Sequence, residues 1–340
     1  MKPTLVLDQY WRQLEELFAP SDFRRLTEAC EVIGGTNWAM PQDILDANLE
    51  NMRFLVASRP SMDRSRLERA KNLQAIIEVS GTFGRGVDYD ACFERGIHVL
   101  SCAPGFRNSV AEMALGMMIA GARGIIEEHL AFQAGYEHWL ADNLATDFSL
   151  YNQSVGFIGY GQIAREVTRL LQPFSPKVAA YDPWLVNEKI AVPGIELKEL
   201  DDLIDTSRCI VVAATPTDQN KGLIDERAIR RMKRGTLVVL ISRAHLVDFE
   251  ALMQAARDKH IRVAIDVFPS EPVASDHPVR TLPNSILSPH RAAAVWGGRH
   301  LIGEMVVDDI AAMLAGTEPT RLQRARPGYV EHIVAAQKRA

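Results

Sequence analysis

Residues 154–164 read Ser-Val-Gly-Phe-Ile-Gly-Tyr-Gly-Gln-Ile-Ala and contain the spacing Gly159-x-Gly161-x-x-Ala164. The apolar run before Gly159 is typical of a buried strand, and the apolar residues after the motif repeat at helical spacing. The next apolar run of the chain ends at Asp182. Strand, glycine turn, helix, strand and acid in this order predict a fold unit that binds a dinucleotide.

Each position of this motif has a physical role in holding a dinucleotide. Gly159 allows the tight turn, and Gly161 lets the backbone approach a pyrophosphate because it has no Cβ. The helix that starts at Gln162 and Ile163 offers N–H groups and a partial positive charge to the phosphates. Ala164 replaces the more usual third glycine at a position that requires only a small side chain.

Asp182 also predicts which dinucleotide is bound. A carboxylate at the end of the second strand accepts hydrogen bonds from the ribose hydroxyls and repels a 2′-phosphate. Pro183 and Trp184, which follow it, supply no positive charge for such a phosphate. The sequence therefore predicts NAD rather than NADP as the cofactor.

Composition and charge argue against several function classes. The chain has 340 residues, 47% of them hydrophobic, and a net charge of −5 without a run of Lys or Arg, so we expect no nucleic-acid partner. Its cysteines lie in or near apolar segments without a C-x-x-C pair, so we expect free thiols and no metal site. The N-terminus lacks a signal-peptide pattern and no apolar run reaches about 18 residues, which predicts a cytoplasmic protein without a membrane partner.

Short apolar runs alternate with segments of helical periodicity along most of the chain. Strands separated by helices predict βαβ units and parallel sheets. Apart from the strand before Gly159, the predicted strands are residues 4–7, 31–34, 53–58, 73–79, 97–102, 177–181, 209–214, 236–241, 262–267 and 285–288. They form two sets, so the predicted fold class is α/β with two doubly wound parallel-sheet domains.

Two helices predict where one domain ends and the other begins. Ser109 and Glu112 have the spacing of a capping box, so a long helix is expected to start there. A second amphipathic helix, residues 302–314, would return to the first domain and make the glycine-motif domain an insertion. The predicted boundaries are residues 1–108 and 293–340 for the substrate domain, and residues 109–292 for the NAD-binding domain. Two crossings of this kind would form a hinged cleft that encloses a substrate.

Three polar residues follow strands of the second set: Arg243, Glu271 and His290. Ligands of parallel sheets bind beyond the carboxyl ends of the strands, so all three should face a bound cofactor. Hydride transfer on a 2-hydroxy acid needs a cation for the substrate carboxylate and a group that takes the hydroxyl proton. A guanidinium and an imidazole oriented by a carboxylate meet these needs. The sequence predicts this set as the catalytic residues.

The order of these motifs resembles that of the D-isomer-specific 2-hydroxyacid dehydrogenases. The matching segments are the glycine motif with Asp182, Ser242-Arg243-Ala244-x-Leu246-Val247-Asp248, Asp266-Val267-Phe268-Pro269-x-Glu271-Pro272 and Ser288-Pro289-His290, within residues 73–315. The resemblance implies a Rossmann domain inserted in a flavodoxin-like substrate domain. It also implies that Arg243 binds the substrate carboxylate, that Glu271 supports His290, and that His290 is the acid/base.

The same resemblance implies further contacts and an assembly. Asp266 would hold the nicotinamide carboxamide, and Thr215 and Ile241 would lie along the cofactor. The molecule would dimerise through its NAD-binding domains. Glu271 distinguishes the chain from formate-oxidising relatives, which carry glutamine at that position.

The substrate loop departs from the family pattern. Residues 78–88 replace a more glycine-rich sequence, and Gly81 and Thr82 are the best candidates for the backbone N–H groups that hold a substrate carboxylate. Arg85 or Arg107 would meet a phosphate if the substrate resembles 3-phosphoglycerate. His245 and Arg291 add polar bulk beside the catalytic motifs. The sequence predicts no role for these two residues or for Phe83, and it does not predict the preferred direction of the reaction.

A second hypothesis belongs to a different class of function. Corepressor-like proteins that sense NAD share this fold and can retain the Arg243, Glu271 and His290 set. Turnover of NADH with a panel of 2-keto acids would separate a dehydrogenase from such a sensor.

Overall fold

The structure is a computed structural model that describes residues 2–10, 12–37, 39–139, 147–187 and 191–337. The chain divides into two compact units: unit 1 is Met1–Arg107 with Val295–Ala340, and unit 2 is Asn108–Ala294. Each unit contains one largely parallel sheet with helices packed on it. The predicted α/β fold class with two doubly wound sheets is therefore confirmed.

The strands and helices follow one another in regular alternation over most of the chain. The strands are β1 Thr4–Asp8, β2 Glu31–Gly34, β3 Met52–Ala57, β4 Ala75–Glu78, β5 His98–Ser101, β6 Ser154–Ile158, β7 Lys177–Tyr181, β8 Glu196–Leu197, β9 Cys209–Val212, β10 Thr236–Leu240, β11 Ile261–Ile265, β12 Ser285–Leu287 and β13 Gln323–Arg324. The helices are α1 Leu14–Leu17, α2 Pro20–Ala29, α3 Gln42–Asn48, α4 Arg64–Arg69, α5 Tyr89–Glu94, α6 Arg107–Ala122, α7 Ile125–Gln133, α8 Gln162–Leu171, α9 Pro183–Asn187, α10 Leu200–Thr206, α11 Glu226–Arg231, α12 Phe249–Arg257, α13 His300–Leu314 and α14 Val330–Ala336.

Unit 1 has the strand order β13-β5-β4-β3-β1-β2. Strands β1 to β5 are parallel in the flavodoxin-like order, and only the short edge strand β13 pairs antiparallel, with β5. Helix α13 packs against α1 and α2. The second predicted helix therefore returns to the unit that contains the N-terminus.

Unit 2 has the strand order β12-β11-β10-β9-β6-β7-β8, all parallel. The order reverses between β6 and β9, which are neighbours in the sheet although they are distant in sequence. This is the doubly wound arrangement of dinucleotide-binding folds, in which ligands bind where the order reverses. The glycine motif follows β6 at this point.

The core of each unit explains why its strands read as continuous apolar runs. Every residue of β9, β10 and β11 is buried, because helices cover both faces of the sheet. All four cysteines are buried and free. The two-residue strands β8 and β13 were not predicted, and α6 begins at Arg107, so Ser109 lies inside that helix rather than at its start.

Within the described residues, no single helix has the length and apolar composition to cross a membrane. Two consecutive segments reach this length and composition only when they are taken together, Ala103–Ala122 and Ile125–Gln133. The chain bends by 60° at the break between them.

Candidate active site

The glycine motif forms a tight turn between β6 and α8. Gly159 has φ +84°, and a Cβ there would lie 2.4 Å from the Cα of Ala214, so this position requires glycine. A Cβ on Gly161, by contrast, would meet open space. The first-turn N–H groups of α8, at Gln162 and Ile163, have no acceptor within the helix. The open space and these donors fit the pyrophosphate of a dinucleotide.

Asp182 at the end of β7 connects the glycine turn to helix α9. Its Oδ2 accepts a hydrogen bond from the Tyr160 N–H at 2.8 Å. Its Oδ1 accepts from the N–H groups of Trp184 at 3.1 Å and Leu185 at 3.3 Å. A carboxylate has about four acceptor positions, so about one remains, on Oδ2. Asp182 thus has capacity for one further donor such as a ribose hydroxyl.

One cation near the glycine turn was missed in the sequence. The Arg165 guanidinium lies over the Tyr160 ring, 5.3 Å from its centroid. The Tyr160 ring is buried, and its hydroxyl donates to the Thr168 Oγ1 at 3.1 Å. Arg165 lies one helical turn after Gly161, and this spacing could have indicated that its side chain lies near the glycine turn.

His290 and Glu271 form a direct pair in unit 2. The Nδ1 of His290 lies 2.6 Å from the Oε2 of Glu271, while the Oε1 of Glu271 accepts from the Phe268 N–H at 2.9 Å. The side chains are 41% and 34% exposed, respectively. The carboxylate fixes the ring orientation and favours the tautomer with its proton on Nδ1, which leaves Nε2 as the other ring nitrogen.

The turn that carries His290 is held by Asp266. The Asp266 carboxylate is 1% exposed and accepts from the N–H groups of Arg291 at 2.9 Å and Ala292 at 3.1 Å. Its backbone carbonyl accepts from the His290 N–H at 2.7 Å. His290 itself has φ +53°, a strained conformation for a residue with a side chain. Asp266 therefore stabilises the turn that presents the histidine.

Arg243 follows β10, which is adjacent to β11 in the sheet, and β12 is next. Its Nη1 donates to the Ser242 carbonyl at 2.6 Å, and the residue reaches solvent. Desolvation by the surrounding chain lowers the pKa of Arg243, while the negative charges of Glu271 and Asp266 act in the opposite direction. The guanidinium thus shares the electrostatic environment of the His290–Glu271 pair.

The loop after β9 is fixed by side chains. The Asn220 side chain donates to the Thr215 carbonyl at 2.9 Å and accepts from the Thr217 N–H at 2.8 Å. The His245 Nε2 lies 2.8 Å from the Thr217 carbonyl oxygen, a contact that the sequence did not predict. Ile241, at the end of β10, is buried. His245 therefore connects the loop of Thr215 to the loop of Arg243.

In unit 1 the backbone N–H groups of Gly81 and Thr82, which were predicted to hold a substrate carboxylate, have a protein side chain as their partner. Their N–H groups both donate to the Oε2 of Glu78, at 2.9 Å. Glu78 was not identified from the sequence as the partner of these N–H groups, although an acid within an otherwise apolar predicted strand was a visible signal. Arg85 is exposed and Arg107 is half-buried at the start of α6.

Comparison with known proteins identifies relatives over most of the chain. Residues 115–292 match the family model for the NAD binding domain of D-isomer specific 2-hydroxyacid dehydrogenases. A D-3-phosphoglycerate dehydrogenase of Mycobacterium leprae is 32% identical over 80% of this chain and 51% of its own length. A glyoxylate reductase of Thermofilum pendens is 28% identical over 87% of this chain and 89% of its own length.

Solved structures show the same likeness. A phosphoglycerate oxidoreductase from Rhizobium etli superposes with a TM-score of 0.85 and 33% identity, covering 97% of this chain and all of the other. The chain spans about half the length of the D-3-phosphoglycerate dehydrogenase from Mycobacterium leprae that it matches.

Proposed function

Because the chain belongs to the D-isomer specific 2-hydroxyacid dehydrogenase family, we propose that it interconverts a D-2-hydroxy acid and its 2-keto acid, with NAD as the cofactor. The observation that carries this proposal is the 2.6 Å contact between His290 and Glu271, with Arg243 on the neighbouring loop. NAD, when bound, accepts or supplies the hydride. The test is oxidation of NADH in the presence of 2-keto acids.

His290 is the proposed acid/base. In the oxidation direction its neutral Nε2 takes the proton of the substrate hydroxyl, and in reduction the imidazolium returns that proton to the carbonyl oxygen. Glu271 holds the ring by Nδ1 and stabilises the positive charge that appears on it. Asp266 keeps the His290 turn in place from the buried side.

Arg243 is the proposed anchor of the substrate carboxylate. A guanidinium donates two parallel hydrogen bonds to a carboxylate, which fixes both the position and the orientation of the acid. The nearby carboxylates of Glu271 and Asp266 limit the net positive charge of the site. A substrate anion held here would have its C2 oxygen available to the histidine.

The proposed cofactor contacts lie on loops of unit 2. The Gly159 turn and the N–H groups of Gln162 and Ile163 receive the pyrophosphate, and Asp182 accepts a ribose hydroxyl. Thr215, Ile241 and Asp266 lie further along the same carboxyl ends of the strands and are proposed to flank the nicotinamide half. The negative charge of Asp182 supports a preference for NAD over NADP.

The names of the relatives suggest which acids to test first. Proteins similar to this chain are called D-3-phosphoglycerate dehydrogenase and glyoxylate reductase. We therefore propose a panel that contains glyoxylate, pyruvate and the 2-keto acid corresponding to 3-phosphoglycerate. Arg85 and Arg107 remain the candidate partners of a substrate phosphate. Binding of NADH without turnover of any acid would favour an NAD sensor instead.

The surface of α7 supports the proposal of a homodimer through unit 2. No residue of this helix is buried. Its exposed apolar side chains, with those of the residues that follow it, are Ile125, Ile126, Leu130, Phe132, Tyr136 and Trp139. Such a surface is typical of a protein–protein contact. Light scattering should give twice the 37.8 kDa mass of the chain, and Leu130→Glu should give monomers.

The four free thiols support a location in a reducing compartment, and we propose the cytoplasm.

A further inference from the structure

Glu78 at the end of β4 is surrounded by donors from the turn that follows it. The Oε2 accepts from the N–H groups of Gly81 and Thr82, both at 2.9 Å. The Oε1 accepts from the Ser80 N–H at 2.7 Å and from the Ser80 hydroxyl. Glu78 is 2% exposed. Residues 80–82 thus form a carboxylate-binding turn whose occupant is a side chain of the same protein.

These N–H groups are already occupied while they donate to Glu78. Their hydrogen bonds point toward a buried oxygen, and above neutral pH, where Glu78 is ionised, such bonds are stronger than those to a neutral acceptor. A substrate that displaced Glu78 would leave a buried carboxylate without its donors, which is costly. Competition from a dissolved acid is also unfavourable because Glu78 is already tethered beside the turn.

We propose that Glu78 is the built-in ligand of the carboxylate-binding turn, and that it excludes the substrate carboxylate from the N–H groups of Gly81 and Thr82. The statement that the substrate carboxylate is excluded from this turn rests on the proposed function. Glu78 is then a positioning residue: it shapes the loop from inside, and Arg243 is left as the anchor of the substrate acid. The chain would bind its substrate with fewer backbone donors than the resemblance implies.

The surroundings of Glu78 fit a permanent occupant. The Phe106 ring covers Gly81 closely, since a Cβ on Gly81 would lie 2.6 Å from a ring carbon. Burial raises the pKa of Glu78 to about 7, although the hydrogen bonds from its turn act to lower this pKa. The ionisable groups whose pKa values respond to its charge are Arg12, Tyr89 and Cys102, from the segment before α1, from α5 and from the segment after β5. Glu78 is fully ionised only above neutral pH, so the test belongs at pH 8 or higher.

The test uses formate as a small carboxylate probe. Glu78→Ala opens a space at the turn and leaves its donors unpaired, so formate should bind there and raise the melting temperature of this variant more than that of the wild type, where Arg243 is the proposed carboxylate site that remains. In the variant the KM of the best 2-keto acid should rise about tenfold or more with a smaller change in kcat, because the loop is displaced. Formate should restore the KM toward the wild-type value.

Two further variants serve as controls. Glu78→Gln fills the same space but keeps only one accepting oxygen and turns an NH₂ group toward the remaining donors, so it should show the raised KM without rescue by formate. Asp309→Ala removes another buried carboxylate of unit 1 that accepts three N–H groups, those of Thr320, Arg321 and Leu322. It should lower the melting temperature while leaving the KM near the wild-type value.

The melting-temperature measurement does not depend on turnover, so it tests the carboxylate-binding turn even if no keto acid is reduced. If Glu78→Ala folds only in formate, that requirement is itself the expected rescue. The proposal is overturned if formate changes neither the melting temperature nor the KM of Glu78→Ala, or if the KM equals that of the wild type.

Discussion

Two glutamates, one at the carboxyl end of β4 and one in the loop that follows β11, behave differently in this molecule. Glu271 in unit 2 uses one oxygen for the Phe268 N–H and the other for the ring of His290, and it is partly exposed. Glu78 in unit 1 uses both oxygens for its own turn and is buried. The same chemical group orients a histidine ring in one place and stabilises a backbone turn in the other. Which donors reach a carboxylate decides its role.

The largest expected effect concerns the side chain that Glu271 supports. His290→Ala should lower kcat/KM by roughly 10²- to 10⁴-fold, because general acid–base catalysis contributes about that much. Glu271→Gln should lose less, since the amide oxygen can still accept from the ring. Steady-state rates of NADH oxidation check both. Equal rates for His290→Ala and the wild type would show that this glutamate is as structural as Glu78.

Arg243→Ala should have the next largest effect. Loss of a charged, bidentate contact costs about 2–4 kcal/mol, or roughly 30- to 1000-fold in kcat/KM. The Kd of NADH should stay unchanged, because the cofactor is bound by other residues. Arg243→Lys keeps the positive charge but loses the paired donors, so its kcat/KM should lie between those of the wild type and Arg243→Ala. If kcat/KM of Arg243→Ala is near the wild-type value, other groups must bind the substrate carboxylate. The N–H groups of the turn that Glu78 occupies would then be candidates.

Asp182 gives an intermediate case between the two glutamates, because it both supports the backbone and has capacity for a ligand. The wild type should bind NADH at least about tenfold more tightly than NADPH, a difference of about 1.4 kcal/mol. Asp182→Asn keeps an oxygen for the N–H groups of α9 but removes the charge, so the difference should narrow. Fluorescence titration measures both Kd values. Equal affinities of the wild type for NADH and NADPH would contradict the proposal that Asp182 selects NAD.

The last expected effect concerns stability rather than activity and is a pH dependence caused by Glu78. The pKa of this group is raised from 4.5 to about 7 on folding, so the folded state holds more protons between these values. The free energy of unfolding should therefore decrease as pH rises through that window, with a slope of at most a single proton. Urea denaturation across that range should show this slope in the wild type and not in Glu78→Gln. Identical profiles would mean that Glu78 titrates normally.

Sequence patterns predicted much of the fold because its strands are buried on both faces. Continuous apolar runs located all the longer strands, and the glycine motif located the dinucleotide turn. The edge strands β8 and β13 have two residues each and leave no periodicity to detect. Helix α6 continues directly from the turn of residues 103–106, so its start was placed too late.

The candidate site was predicted in part. Motif order indicated Arg243, Glu271 and His290, and the structure brings the last two into contact. The partners of Glu78 and Asp266 were not predictable from spacing. Glu78 meets its donors because Gly81 adopts φ +93°, and Asp266 meets N–H groups 25 and 26 residues away. Contacts of this kind depend on turn conformation and tertiary packing, which local periodicity does not encode.

The most direct measurement of the central claim is the stereochemistry of turnover. Wild-type protein with NADH and the panel of 2-keto acids should consume NADH in proportion to the hydroxy acid formed, and chiral chromatography of a chiral product should give the D isomer only. His290→Ala, folded and still binding NADH, should give none above background. The account is contradicted if the wild type binds NADH but reduces no acid of the panel, or if the product is the L isomer.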